Sequence, residues 1–390
     1  MEFNHWIAAQ SDSRPVEAVI LDNPVPVTEL PTPALLLDET VLDANLAIMG
    51  KWSEATGIAL RPHSKMHKCP IIAKKQLALG AQGICCAKIS EAAIMQRAGI
   101  APILVTSPLI EPMAIAKAAT LAKTNQALTV VVDSRASALG LEQALDHVSA
   151  NLLVLIDIDP GLGRTGIAPG DELLKLAAFI QDECSHLNLQ GLQIYAGHCM
   201  HIVSAEARYE KYQRALQAGK DAKQLLEAEG YVLPLLSGGG TGSYEFEPDV
   251  GLLNELQAGS YAFMDIEYRD IETRARPVFD DFDIALTVLV TPISQPKPRT
   301  ITVDAGFKSL ASDKMVPEFK DIEGLTYYWG GDEHGIVALN NPSRDISLGD
   351  KLKLITPHCD PTVNLFDYYY VVREEHVHEL WPISTRGCSQ

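Results

Sequence analysis

Gly57-Ile58-Ala59-Leu60-Arg61-Pro62-His63-Ser64-Lys65-Met66-His67-Lys68-Cys69-Pro70 carries a short apolar run, then a cluster of cations and imidazoles, then a proline that opens a helical stretch. A lysine at a strand end can be desolvated, which eases loss of its proton, and a neutral amine attacks aldehydes. Residues 61–68 also read as a solvated basic turn. The surrounding chain has to decide between the two.

Outward from this stretch, a strand-then-helix rhythm repeats. Apolar strand patterns fall at residues 59–63, 83–87, 103–106, 128–133, 152–157, 189–195, 232–236 and 257–263. Between them, apolar residues recur at helical spacing at 71–79, 90–98, 112–121, 134–145, 172–185 and 205–229. Near-continuous apolar strands separated by helices imply a parallel sheet covered on both faces. Eight of them predict a closed (β/α)8 TIM-like barrel within residues 31–270, with an open doubly wound sheet as the competing arrangement. After residue 270 the helical periodicity stops. Apolar or alternating runs at 284–290, 300–303, 325–329, 336–339, 351–355 and 368–372, with turn residues at Asn341-Pro342 and Gly349-Asp350, predict a mostly antiparallel β domain over 271–390. Residues 1–30 read as a tail plus one strand, at 16–21, that joins this domain.

The chain has 390 residues and a formal net charge of −18. That charge argues against nucleic acid or an anionic membrane as partner, because such surfaces are met with clustered Lys and Arg. No apolar run is long enough to span a bilayer, and Met1-Glu2-Phe3-Asn4-His5-Trp6 lacks the basic start of a signal peptide. Seven cysteines with no Cys-x-x-Cys pair speak against a disulfide framework and for a reducing cytoplasm.

In a barrel of this kind ligands gather where the strands end. The first strand ends in His63-Ser64-Lys65, the fifth in Asp157-Ile158-Asp159-Pro160-Gly161-Leu162-Gly163-Arg164, and the sixth in Tyr195-Ala196-Gly197-His198-Cys199-Met200-His201. The seventh ends in Ser237-Gly238-Gly239-Gly240-Thr241-Gly242-Ser243, and the eighth carries Gly259-Ser260-Tyr261. Consecutive glycines let backbone N–H groups approach an anion, and the position after the seventh strand favours a phosphate site over a plain flexible loop. An imine-forming lysine and a phosphate nest on one rim point to pyridoxal phosphate. Arg164 would face its ring nitrogen and keep it largely unprotonated, which weakens the electron sink. In the β domain, Thr356-Pro357-His358-Cys359-Asp360 places an imidazole and a carboxylate on one side of an extended segment. This pair reads either as a site for Mn²⁺, Mg²⁺, Co²⁺ or Zn²⁺ or as a hydrogen-bonded turn.

The motifs Arg61-Pro62-His63-Ser64-Lys65-Met66-His67-Lys68-Cys69-Pro70, Gly238-Gly239-Gly240-Thr241-Gly242-Ser243, Asp332-Glu333-His334-Gly335 and Pro357-His358-Cys359-Asp360-Pro361-Thr362-Val363-Asn364 closely resemble the low-specificity D-threonine aldolase family. So do the stretches from Gly83 to Ala92 and from Leu256 to Asp265. That family belongs to the alanine racemase-like pyridoxal phosphate enzymes, with a barrel and a β domain, usually as a homodimer. The resemblance implies Lys65 as the cofactor lysine and Arg164 beside the ring nitrogen. It implies phosphate contacts from Gly239, Gly240, Thr241, Gly259, Ser260 and Tyr261, and a divalent metal on His358 and Asp360. Tyr195 and His201 match residues beside the substrate, His201 as the group that takes the hydroxyl proton. The implied activity is retro-aldol cleavage of a D-β-hydroxy-α-amino acid to glycine and an aldehyde. A dehydratase, a β-hydroxyaspartate aldolase and a non-catalytic cofactor carrier are the alternatives. Ala87 departs from the glutamine common in the family, and related D-serine dehydratases carry Cys where Asp360 stands.

Overall fold

The chain is described by a computed structural model that covers residues 13–313 and 315–390. Residues 1–12 of the expected N-terminal tail lie outside the described residues. Strands β1 (Val19–Pro26) and β2 (Ala34–Asp38) come first. Eight barrel strands follow: β3 (Ala59–Leu60), β4 (Ile84–Cys86), β5 (Ile103–Val105), β6 (Leu128–Val132), β7 (Leu152–Ile158), β8 (Leu187–Ile194), β9 (Leu235–Gly238) and β10 (Glu255–Leu256). Then come β11 (Leu286–Val290), β12 (Pro292–Lys297), β13 (Thr300–Val303), β14 (Glu318–Phe319), β15 (Leu325–Trp329), β16 (Gly335–Leu339), β17 (Leu352–Ile355), β18 (Tyr368–Arg373) and β19 (His376–Pro382).

Among the described residues the strands form three sheets. The first is parallel, in the order β3-β10-β9-β8-β7-β6-β5-β4. Its two ends meet just past β3, where Cys85 N–H donates to Pro62 O and Ser64 N–H donates to Cys85 O, both at 2.8 Å. The eight expected strands therefore close into a barrel. Alternation along the strands sorts the side chains into two layers. Ile84, Cys86, Ile103, Val105, Val130, Val132, Val154 and Ile156 pack outward against helix residues such as Ala92, Met95, Ala118 and Leu141. Cys85, Leu104, Val131 and Leu155 form a separate small cluster inside.

The helices fill the expected intervals with shifts of up to three residues. The helix Glu39–Thr56 shows how local chemistry sets such limits. Asp38 accepts the Val41 N–H at 3.1 Å at its start, and Gly57 ends it at φ 72°.

The second sheet runs β1-β19-β18-β2-β11-β17-β14 and the third β12-β13-β16-β15. All their pairings are antiparallel except β18 with β2. Strand β1 pairs with β19, so the N-terminal strand sits in the β domain. Strand β2 falls inside the span expected for the barrel, yet it pairs with β11 and β18. Both of its faces are apolar and both are covered: Leu35 and Leu37 face the barrel-side core, Ala34 and Leu36 the opposite one.

Two expected barrel strands are displaced. The seventh is Leu235–Gly238 rather than 232–236, because Val232 is 80% exposed and Pro234 has no N–H for the ladder. The eighth is Glu255–Leu256 rather than 257–263. Its aromatic residues are drawn out of the barrel to meet the β domain, with Tyr261 against Phe282 at 5.6 Å and Phe263 against Tyr369 at 5.5 Å between ring centres. No helix among the described residues is long and apolar enough to cross a membrane. All seven cysteines are free and buried.

Candidate active site

Above the apolar inner cluster the barrel carries a polar layer. Arg61 Nε donates to Glu255 Oε2 at 2.8 Å, and Ser237 Oγ donates to Glu255 Oε1 at 2.6 Å. Gln257 Nε2 donates to Ser237 Oγ and to Gln193 Oε1, at 2.9 and 3.2 Å. Gln193 Nε2 in turn donates to Asp157 Oδ1 at 2.9 Å, and Thr165 Oγ1 to Asp157 Oδ2 at 2.8 Å. Burial raises the Asp157 carboxyl to about 6 against the pull of these two donors. Sequence reading passed over Asp157, Gln193 and Gln257 as site residues. For Asp157 the available signal was a lone polar residue near the C-terminal end of an otherwise apolar strand.

This layer floors a cavity of about 630 Å³ at the C-terminal ends of the barrel strands. Lys65, Arg164, Tyr195, Gly239, Gly240, Thr241, Gly259 and Ser260 all line it. Eight expected residues from five separate strand ends thus meet on one rim. His201, Tyr261, His358 and Asp360 stand outside the lining itself.

Lys65 Nζ donates to Asp360 Oδ1 at 2.6 Å, which ties the barrel to the β domain. The Asp360 carboxylate holds the Lys65 ammonium above the usual lysine range, outweighing burial. The expectation that desolvation would ease proton loss from Lys65 is therefore corrected, because a carboxylate from the other domain decides the balance. Burial disfavours the charge on Asp360, but Lys65 and His358 overcome it and bring the carboxyl down to about 2. Lys68 is excluded as the aldehyde-binding amine: it is buried, sits at φ 52°, and is paired with Glu91.

His63 lines the cavity beside Lys65. Its Nδ1 accepts the Lys65 N–H at 3.3 Å, so Nε2 carries the proton toward Thr106 Oγ1 at 3.0 Å. Burial and the nearby Lys65 charge push its pKa well down, so it is a neutral wall of the site. His67 is buried deeper and burial lowers it to about 4. Its carbonyl accepts from Tyr369 at 2.6 Å, which gives it a structural contact with the β domain.

Arg164 stands at the end of a loop wound around Asp159, whose Oδ1 accepts N–H groups of Gly161, Leu162 and Gly163 at 2.8–3.0 Å. The guanidinium lies over the Tyr195 ring at 5.4 Å. A Cβ on Gly197 would strike that ring at 2.7 Å, so the glycine is what lets Tyr195 lie there.

The glycine cradle is equally tight. A Cβ on Gly242 would fall 2.2 Å from Met200 O, and one on Gly259 would fall 2.9 Å from His63 O. Thr241 Oγ1 accepts the Tyr261 N–H at 3.0 Å, which leaves the hydroxyl proton for an acceptor in the cavity. The Tyr261 side chain does not reach the cavity. Its hydroxyl accepts from Gln76 at 3.1 Å inside the core. Gly242→Ala is expected to cost about 1–3 kcal/mol, since the new methyl meets backbone rather than a movable side chain, and to weaken cofactor retention. Thermal denaturation with and without cofactor measures both effects. An unchanged melting temperature would remove the tight-loop argument.

His358 and Asp360 do come together, but not by extended-strand parity. Cys359–Val363 is a short helix with His358 at its N-cap, and the turn brings His358 Nε2 to 3.8 Å from Asp360 Oδ2. Asp313 Oδ2 is 2.9 Å from His358 Nδ1. Taking the Nδ1 proton there leaves the Nε2 lone pair facing Asp360. Asp265 holds the segment in place, accepting Cys359 N–H at 2.8 Å and Tyr268 N–H at 3.0 Å. Cys359 is turned into the core and its Sγ donates to Met264 O at 3.2 Å. No group of three His, Cys, Asp or Glu residues placed for a metal occurs among the described residues.

His201 packs on Tyr268 with ring centres 4.4 Å apart, and its Nδ1 is 3.5 Å from Glu267 Oε1. Tyr268 lines the cavity, so His201 stands one ring behind it.

The comparisons with known proteins give the family. Residues 37–267 match the alanine racemase N-terminal domain, and residues 285–372 the putative serine dehydratase domain. A D-threonine aldolase of Arthrobacter sp. is 39% identical over 94% of this chain and 95% of its own. A 3-hydroxy-D-aspartate aldolase of Paracoccus denitrificans is 38% identical over 92% and 93%. The crystal structure of D-threonine aldolase from Filomicrobium marinum superposes with a TM-score of 0.90 at 34% identity, covering 95% of this chain and all of that one. With its lysine, glycine cradle and arginine around one barrel mouth, the chain belongs to the D-threonine aldolase family of alanine racemase-like pyridoxal phosphate enzymes and is a carbon–carbon lyase.

Proposed function

We propose that the chain cleaves the Cα–Cβ bond of D-β-hydroxy-α-amino acids such as D-threonine to glycine and an aldehyde, with pyridoxal phosphate and a divalent metal. The observation that carries this reading is the 2.6 Å contact from Lys65 to Asp360, with His358 beside it, opposite the glycine cradle. The residues fit both groups. Gly239, Gly240, Thr241, Gly259 and Ser260 would seat the phosphate where no Cβ fits at Gly242 or Gly259. Arg164 would donate to the ring nitrogen, and Lys65 would hold the aldehyde carbon. Pyridoxal phosphate supplies a sink for the electron pair left at Cα.

His358 Nε2 and Asp360 Oδ2 would hold the metal, with substrate and water completing its shell. Bound there, a divalent cation acidifies the substrate β-hydroxyl. Glu267 faces His201 Nδ1, so His201 Nε2 is the atom that takes the hydroxyl proton. Tyr268 stacks on that ring from the cavity side. Asp265 keeps the metal-binding turn against the barrel. A carboxylate at Asp360, where related dehydratases carry a thiolate, supports cleavage over loss of the hydroxyl group. The free buried thiols are in keeping with a reducing cytoplasm, and a homodimer completes the reading.

A second reading has its own support. Lys88 lines the same cavity and adds a cation to its rim. It would suit the extra carboxylate of 3-hydroxy-D-aspartate. One product assay separates the readings. D-threonine is expected to give glycine and acetaldehyde, and hydroxyaspartate glycine and glyoxylate. Keto acid and ammonia alone from either substrate would overturn the aldolase assignment.

A further inference from the structure

Behind the glycine cradle, on the side away from the cavity, lies Glu247. It is fully buried. Its Oε1 accepts from the Tyr212 hydroxyl at 2.5 Å and from Ser243 Oγ at 2.8 Å, while Oε2 is buried with no hydrogen-bond partner among the described residues. A Cβ built on Gly239 would lie 2.5 Å from Oε1, so the carboxyl presses on the loop backbone from behind.

Ser243 links this carboxyl to the cradle. Its Oγ accepts the Gly240 N–H at 3.0 Å, and its single proton has two acceptors in reach, Glu247 Oε1 and Gly240 O at 3.3 Å. An ionised Glu247 claims that proton. A neutral Glu247 frees it for Gly240 O. The state of Glu247 is therefore sensed by Gly240, whose backbone lines the cavity.

An anion in the cradle is one backbone thickness from Glu247. An ionised carboxylate there would set a like charge behind it in a poorly screened interior. The neighbouring groups offer no compensation. From the helix Ala205–Ala228, Tyr212 is held well above its usual range by burial and by Glu247. Arg208, on the same helix, is spent on the carbonyls of Gly242, Ile202 and Glu272 and on the Glu245 carboxylate. From the turn Gly197–Cys199, burial raises the Cys199 thiol to about 11. Burial raises Glu247 itself to about 7, against the pull of Tyr212 and Ser243. Glu247 is thus the group here that changes charge near neutrality.

We propose that Glu247 is a proton-linked positioning residue: seating a phosphate monoester in the glycine cradle takes up a proton at Glu247, so cofactor affinity falls as pH rises. This rests on the reading of the cradle as the phosphate site. The sign follows from linkage. A carboxyl whose proton is held more tightly with the anion bound favours binding below its free pKa and opposes it above.

The test uses the full chain freed of cofactor and pyridoxine 5′-phosphate, which has the phosphate but no aldehyde for Lys65. Titration calorimetry in buffers of differing ionisation heat counts protons taken up, and affinity is followed from about pH 6 to about pH 9. The wild type is expected to lose about tenfold more affinity over that range than Glu247→Gln, and to take up more protons above neutrality. The phosphate's own titration is common to both proteins. Tyr212→Phe removes a donor that favours the ionised form, and is expected to move the wild-type midpoint to higher pH. Equal slopes and equal proton counts in wild type and Glu247→Gln overturn the proposal. Should Glu247→Gln fail to fold, an unmoved midpoint in Tyr212→Phe overturns it instead. Absence of binding to the wild type at every pH overturns the phosphate reading and this proposal together. Binding without a slope that depends on Glu247 overturns this proposal alone.

Discussion

Lys65→Ala is expected to abolish the visible absorbance of covalently held cofactor and to lower kcat by about 10³-fold or more, the scale on which loss of a covalent catalytic group acts. Among the described residues the structure leaves no ready substitute. Lys68 is buried against Glu91 with a left-handed backbone. Lys88 is exposed at the rim, on the loop after β4. The proposed phosphate contacts do not pass through Lys65, so the variant should still bind cofactor, reversibly and without the imine band. Absorbance spectra before and after gel filtration read both properties. A visible spectrum that survives in the variant would show that another amine holds the cofactor.

Asp360→Ala is the second large effect. Cofactor binding should persist, because the cradle and Arg164 are untouched. Cleavage should fall by at least about 10²-fold, since the carboxylate is one of only two protein donors proposed for the metal. The same change removes the ion pair on Lys65. Activity is measured with added Mn²⁺ and, separately, with chelator. Wild-type activity in the variant under chelator would take the metal out of the reaction. Two donors alone also make the wild type sensitive to chelation, which gives an independent check on the same point.

Different elements were legible in the sequence for different reasons. β4, β5 and β6 are short apolar runs between helices, buried on both faces, and their bounds follow local composition. The run at 257–263 was misread because an apolar stretch does not say what covers it. Here the aromatic residues serve the junction with the β domain. Strand β19, whose His, Glu and Trp residues alternate without a clean apolar face, gave no strand signal. It is a strand because β1 and β18 flank it. The glycine cradle was readable, since consecutive glycines after a strand have few uses. The buried Glu247 and Arg208 behind it were not, because a charged residue in a helical or loop pattern reads as solvent-facing.

Sequence by itself determined the barrel, the β domain and the rim on which Lys65, Arg164 and the glycines meet. Periodicity, turn chemistry and strand-end position are local properties, and they carry that much. Tertiary structure alone decided which charges face one another. Lys65 and Asp360 are 295 residues apart in the chain and 2.6 Å apart in space. That contact keeps the lysine charged where its neighbours in sequence, and burial alone, pointed to easier proton loss. A proton's affinity is set by the sum of nearby charges and the loss of water, and both come from segments that only folding brings together.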